Sequence, residues 1–401
     1  MACPDVFQAL KLASESLGKT VQRKATARSV WLNAIPKGAY PLGTGLTQTS
    51  FQIANSMPRN DELAWEKIAS TGSAADTVEL LEDGGLCARD WQDVEWGYSE
   101  QQYSPERISI RGPNVCQSNL KYHHSTDAFL RAYVEEISKH SKRMLENKLQ
   151  NEYMKKSRQV TFSGAATAGA IVASAVGTDD VSAATLDASV ALLQEHLDLL
   201  AVKLIESGAT EGDSNGWIEL GPNGPVFPLI IGMEASNALL KADDNLRTDY
   251  HYGAPTELLK AMGADRVIGN FRHIVITNPP RWTHSGSTYT RVSEYETSSE
   301  TAGVGVQRAA AYNAATHETA IVLNPSVMKQ LVVPSTTPGN LGFTPENYTG
   351  DWQFITGAYK WGGTNADCDD PLEVNGRHVG TYEMAFEPVF GEHGATVQFV
   401  R

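Results

Sequence analysis

An α+β fold is predicted for this 401-residue chain by three observations. A run from Thr126 to Ser157 holds neither glycine nor proline, in a chain with 34 glycines and 18 prolines. Apolar runs of strand and helix character then alternate through the middle of the sequence, and the last thirty residues carry two period-two patterns.

The first seventy residues are punctuated at Pro36, Gly38, Pro41, Gly43, Gly45 and Pro58, which predicts an irregular arm after a short helix near Val6 to Leu17. In "VEWGYSEQQYSPERISIRG", Val94, Trp96 and Tyr98 alternate, and Ile108 and Ile110 alternate with Arg107, Ser109 and Arg111. That pattern predicts two strands joined through Ser104 and Pro105 as a hairpin. Arg107 and Arg111 then share one face of the second strand, opposite Ile108 and Ile110.

The run from Thr126 is predicted as one long helix. Phe129, Tyr133, Ile137, Met144, Leu145, Leu149 and Tyr153 recur mostly four apart, charged residues fill the other faces, and Lys155 and Lys156 suit the negative end of the macrodipole. The segment "GAATAGAIVASAVG", Gly164 to Gly177, is too short to span a ~30 Å hydrocarbon core and predicts a small-residue link. Leu186, Val190, Leu193, Leu197, Leu200 and Leu204 predict an amphipathic helix stopped by Gly208. "PVFPLIIGMEASNALLKAD" predicts a buried strand turning into a helix, "PTELLKAMG" a further helix, and "FRHIVITN" a strand. At the end, Tyr382, Met384 and Phe386, then Val397 and Phe399, predict two closing strands.

Composition narrows the function classes. With 41% hydrophobic and 20% charged residues the chain has the makings of a folded core. A net charge of -14 argues against sequence-independent adhesion to nucleic acid or anionic membrane. Cys3, Cys87, Cys116 and Cys368 form no CxxC pair and signal neither a zinc cage nor a disulfide scaffold. The N-terminus lacks the charged start and apolar core of a secretory signal.

Catalytic motifs fail on spacing. "PLGTGLTQ" and "AGVGVQRA" each offer only GxG, and neither GxxxxGK[ST] nor GxSxG occurs. His123 and His124 lie beside Asp127, yet adjacent side chains on a helix or strand point apart, so no metal cluster is predicted there. His317 lacks the second histidine of HExxH, which leaves Glu318 without a metal-bound water to activate. The acidic loop of Asp367, Cys368, Asp369 and Asp370 reads as a solvated turn. No catalytic residue, cofactor or metal ligand is therefore expected. The competing enzyme reading rests on His123, His124 or the Asp367 to Asp370 loop, and implies a discrete soluble oligomer with a pocket.

The order of arm, hairpin, long helix, mixed middle domain and closing strands resembles the major capsid protein of tailed bacteriophages, with its Hong Kong 97-type fold. "AAAYNAATHETAIVLNPSVMKQLVVPS" followed by "FTPENYTGDWQFITG" is similar to a stretch of one branch of that family. There an apolar strand, a proline-started turn and a short helix precede an aromatic Y-x-G-D-W segment. The terminal "CDDPLEVNGRHVGTYEMAFEPVFGEHGATVQFVR" is similar to that branch's C-terminus. The likeness implies an N-terminal arm over 1–70, an E-loop hairpin over 71–125 and a peripheral domain with a spine helix over 126–184. An axial domain with part of the peripheral sheet follows over 185–349, and C-terminal strands over 350–401.

By the same likeness the chain is expected to self-assemble, as pentamers and hexamers, into an icosahedral shell around double-stranded DNA. It would be built in the host cytoplasm with a separate scaffolding protein and a portal, touch no membrane, and contact its neighbours through Trp96, Tyr98, Arg107 and Arg111. A cargo-enclosing compartment of encapsulin type is the alternative within the fold. The family's type member crosslinks its E-loop lysine to a neighbour's asparagine. No lysine lies between Ile68 and Leu120, where the cations are Arg89, Arg107 and Arg111, so a non-covalent shell clamped by arginine–carboxylate pairs is expected.

Overall fold

The computed structural model describes residues 29–39, 49–54, 98–103, 106–111, 115–116, 126–164, 171–173, 181, 187–210, 217–221, 224–242, 266–286, 288–301, 305–332, 353–358 and 375–401. Two compact units divide the chain, one of residues 1–40 and 106–401, the other Pro41–Pro105.

The helix expected near Val6 to Leu17 lies outside the described residues; helix α1 (Val30–Ala34), the first described element, is capped by the Ser29 hydroxyl, which accepts from Leu32 N–H. Strand β1 (Lys37–Ala39) follows. The smaller unit contributes β2 (Thr49–Ala54) and β3 (Tyr98–Tyr103), an antiparallel pair that runs from Thr49 opposite Tyr103 to Ala54 opposite Tyr98. The chain re-enters the larger unit at β4 (Glu106–Arg111) and β5 (Val115–Cys116).

The expected hairpin of β3 with β4 does not form. Strand β4 pairs with β19 (Asn375–Pro388), with Ile110 opposite Gly380 and Ile108 opposite Tyr382, while β3 takes β2 as its partner. The physical reason lies in Ile108 and Ile110, whose alternation serves this unit's own core: Ile110 is buried there and Ile108 packs against it. Burying that face in the six-stranded sheet outweighs pairing with a local neighbour.

The long helix is as read from sequence. Helix α2 spans Thr126–Lys156, which at ~1.5 Å per residue is about 46 Å. Ile137, Leu145, Leu149 and Tyr153 are buried along it, with Ser141 between them bonding back to the Ile137 carbonyl at 2.7 Å. Met144, counted with the apolar stripe, is 38% exposed instead. The polar flanks carry i,i+4 ion pairs such as Glu135 with Lys139 and Lys142 with Glu146.

After α2 come β6 (Gln159–Ser163) and β7 (Ile171–Ala173), an antiparallel pair whose second strand falls in the stretch expected to be only a link. Helix α3 covers Gln194–Glu206, shorter than its heptad-like pattern implied. Residues 187–193 lie outside the helix instead, with Leu193 extended at its N-cap. The Ser189 N–H donates to the Ser163 carbonyl and Val400 N–H to the Val190 carbonyl, both at 3.0 Å, and those bonds to strand ends replace a first helical turn. At the other end Gly208 takes φ +77°, and Ala209 N–H closes on the Leu204 carbonyl, so the helix stops where the sequence placed its stop.

Strand β8 (Glu219–Gly221) pairs with β9 (Gly224–Gly232), which runs directly into α4 (Met233–Ala242) as predicted. Next are β10 (Arg266–Ile268), β11 (Phe271–Ile276), β12 (Arg281–Ser285), β13 (Thr288–Arg291), β14 (Tyr295–Thr301) and β15 (Gly305–Arg308). Helix α5 (Ala310–Asn313) precedes β16 (His317–Val322). Strand β17 (Met328–Val332) occupies the place of the expected short helix after Pro325, because it completes a ladder between β1 and β19. Strands β18 (Gln353–Ala358), β19 and β20 (Ala395–Val400) close the chain.

These strands form two main sheets. The first runs β1-β17-β19-β18, with β4 and β5 also on β19; the second runs β10-β11-β9-β16-β20-β6-β7. The second sheet is buried on both faces. Ile230, Ile321, Val160 and Phe162 look into the core shared with α2 and the first sheet, whereas Leu229, Ile231, Val322, Val397 and Phe399 look into a second core under α3. Burial on both faces is why "FPLII" and "TAIVL" read as continuous apolar runs rather than alternating ones.

Candidate functional site

The residues expected to touch neighbouring subunits fall in both units of the chain. Trp96 lies outside the described residues. Tyr98 begins β3 opposite Ala54, and Arg107 and Arg111 stand in β4 opposite Glu383 and Val379; the side chains of these three lie outside the described residues. Tyr98 and Arg107 thus sit on strands of different sheets. The described charge on β4 is Glu106, which pairs with Lys148 of α2, itself bonded to Glu152 at 3.0 Å. His123, His124 and the Asp367 to Asp370 loop are outside the described residues.

The surface of α3 carries a second feature. Leu197, Leu200 and Leu204 point into the core, while Leu199, Val202 and Ile205 stand 44–53% exposed at successive steps of three. These three form an apolar strip along the side of α3 away from its buried leucines.

Two polar clusters were not read from sequence. Arg281 at the start of β12 is buried, donating to Glu318 of β16 and to Glu234 of α4, both at 3.3 Å, and its guanidinium lies 4.5 Å from the Tyr312 ring centroid. Arg401 also pairs with Glu234. Burial pushes the Glu318 carboxyl above the usual range, against the pull of Arg281.

The other cluster gathers Asp187, His284, Tyr289 and His317. His284 Nδ1 lies 3.2 Å from Asp187 Oδ2, and His317 Nε2 lies 3.5 Å from Asp187 Oδ1. Tyr289 donates its hydroxyl to Asp187 Oδ1 and accepts the Ala188 N–H at 2.8 Å. Burial lowers the His317 imidazole below its ordinary value, and the nearby His284 adds to that; the Tyr289 hydroxyl is pushed up by burial and then by Asp187. Strand pairing brings this about: Trp282 of β12 sits opposite His317 and His284 opposite Tyr289, while residues 187–190 are tied across the strand ends. The sequence signal was hidden because the residues lie far apart in the chain.

No family model and no curated protein matches the chain. Among solved structures it is similar to the capsid of Ralstonia phage GP4, at 9% identity over 94% of this chain and 88% of that one, with a TM-score of 0.48. The capsid of cyanophage P-SCSP1u is similar at 8% identity, over 91% and 86% of the two chains, with a TM-score of 0.45. A virus-like particle from Pyrococcus furiosus is similar at 11% identity, over 96% and 98%, with a TM-score of 0.38.

Proposed function

We propose that this chain is the structural subunit of a closed protein shell of the Hong Kong 97 type, the major capsid protein of a tailed phage. The observation that carries the reading is the ribbon β2–β3. Among the described residues these two strands pair only with each other, in a unit set off at 41–105, while β1 and β4 on either side belong to the six-stranded sheet. A two-stranded ribbon alone is marginal in water, so neighbouring copies would cover it. On this reading the E-loop role falls to 41–105 rather than to the 71–125 expected from the sequence.

Two further features support shared surfaces. The spine α2 spends its inner face on the subunit's own core and leaves charged flanks outward. Helix α3 adds the exposed strip Leu199, Val202 and Ile205, which a second copy would bury. The role is structural rather than enzymatic, and the acidic balance of -14 suits a wall that encloses DNA without gripping its phosphates.

Expression of the full chain, with and without a scaffolding protein, followed by electron microscopy tests the reading. Closed shells or ring-shaped pentamers and hexamers are expected. A small discrete oligomer at every concentration would overturn it, and particles from the natural source filled with a cargo enzyme in place of nucleic acid would replace the phage role with a compartment.

A further inference from the structure

We propose that Asp187, His284 and His317 form a binding site for one divalent transition-metal ion of the zinc class. The inference does not depend on the shell reading.

One ligand atom from each of the three residues lies within 4.8 Å of the other two. His284 Nδ1 lies 3.2 Å from Asp187 Oδ2, close to the edge of about 3.4 Å that a tetrahedron with metal–ligand bonds of ~2.1 Å requires, while His317 Nε2 lies 3.5 Å from the carboxylate's other oxygen, Oδ1. Two imidazoles and a carboxylate are a donor set that suits zinc, cobalt or nickel and disfavours magnesium or calcium. Asp187 is about half exposed while His317 is buried, so an ion has a route in and a coordination position left for water.

The surroundings are those of a supported site. Tyr289 holds Asp187 Oδ1 through its hydroxyl, which leaves Oδ2 for the ion, and the Ala188 N–H fixes Tyr289 in turn. His317 Nδ1 sits 2.8 Å from Thr316 Oγ1. That contact accepts the ring proton at Nδ1 and frees the Nε2 lone pair for metal, at the expense of the 3.2 Å contact of Nε2 with the Ala188 carbonyl. Nε2 of His284 is buried without a hydrogen-bond partner among the described residues, so within them no hydrogen bond at that nitrogen holds the ring against turning toward an ion. An ion here would tie residues 187–190, the β12–β13 hairpin and β16 into one knot.

Full-length protein stripped with chelator, then titrated with Co2+ and Zn2+, tests this. One Co2+ per chain with the visible absorption of a low-coordinate nitrogen and oxygen site is expected, displaced by Zn2+ and indifferent to excess Mg2+. Asp187→Asn and His284→Gln, both at partly exposed positions, should abolish uptake, and Tyr289→Phe should weaken it by roughly 10–100-fold. No uptake by the wild type, or undiminished uptake by either variant when folded, overturns the site. If neither variant folds, Tyr289→Phe decides, and unchanged affinity there counts against it.

Discussion

The hydroxyl of Tyr153, at the inner end of α2, accepts the backbone N–H of Asn324 at 2.8 Å and donates to the Val322 carbonyl at 2.7 Å. The long helix is thereby bolted to the turn between β16 and β17, with the Trp31 ring 5.4 Å away. Asn324 is fully buried, so Tyr153→Phe strands its N–H without water. Chemical denaturation should show a loss of about 1–3 kcal/mol. Gly394→Ala should also destabilise, since a Cβ there would lie 2.7 Å from that same hydroxyl.

Arg281→Met leaves the buried Glu318 carboxylate without its main cation. A loss of about 3–5 kcal/mol is expected by denaturant titration, and adding Glu318→Gln should recover part of it, because a neutral amide costs less to bury than a lone charge.

Acid should weaken the subunit through its buried histidines. Burial lowers the imidazoles of His196 and His393 in the folded state. The unfolded chain then binds more protons, so this stability is present above about pH 6.5 and is lost as pH falls through the folded values. His196 adds a structural reason: its Nδ1 accepts the Leu193 N–H at 3.0 Å at the start of α3, and protonation turns that acceptor into a donor. His196→Asn keeps an acceptor and does not titrate. Its melting temperature should fall less steeply than the wild type's below pH 6.5.

Val202→Glu places a charge in the middle of the exposed strip on α3 while leaving the buried Leu197, Leu200 and Leu204 untouched. Melting should be nearly unchanged, and shells should fail to form or form only at higher concentration, as read by light scattering and microscopy.

Boiling assembled particles in detergent should release single chains of 43.5 kDa. The ribbon's unit, residues 41–105, contains one lysine, Lys67, just before the lysine-free span that starts at Ile68. Lys67→Arg particles should therefore run the same as the wild type. A ladder lost in that variant would identify a crosslink through this side chain.

How much was legible follows from where each signal resides. Helix α2 and the strands β9, β11, β16, β19 and β20 were readable because their patterns are set by local period and by burial on one or both faces. The partner of β3 was not, since β2 lies more than forty residues upstream while β4 is two residues away. The start of α3 was overrun because Leu186 and Val190 continue its spacing, and only bonds to β6 and β20 take the chain out of the helix there. The metal-type cluster had no local signal. His317 lacks the HExxH spacing, and its companions come from a hairpin and a segment that only the sheet brings near.

The sheet that carries the cores has its middle filled late. Strand β20 lies between β16 and β6, parallel to the latter with Ala395 opposite Gln159, and β1 waits for β17 with Lys37 opposite Gln330. During synthesis β6 and β1 must therefore remain without these partners while more than two hundred residues are added, and pairings this distant form slowly. Sheet edges left open that long invite pairing between nascent chains. The expected dependence is on chaperones that shield strands rather than helices, and on a chain that reaches Ala395 intact: release before that point should yield aggregate, not a smaller working subunit.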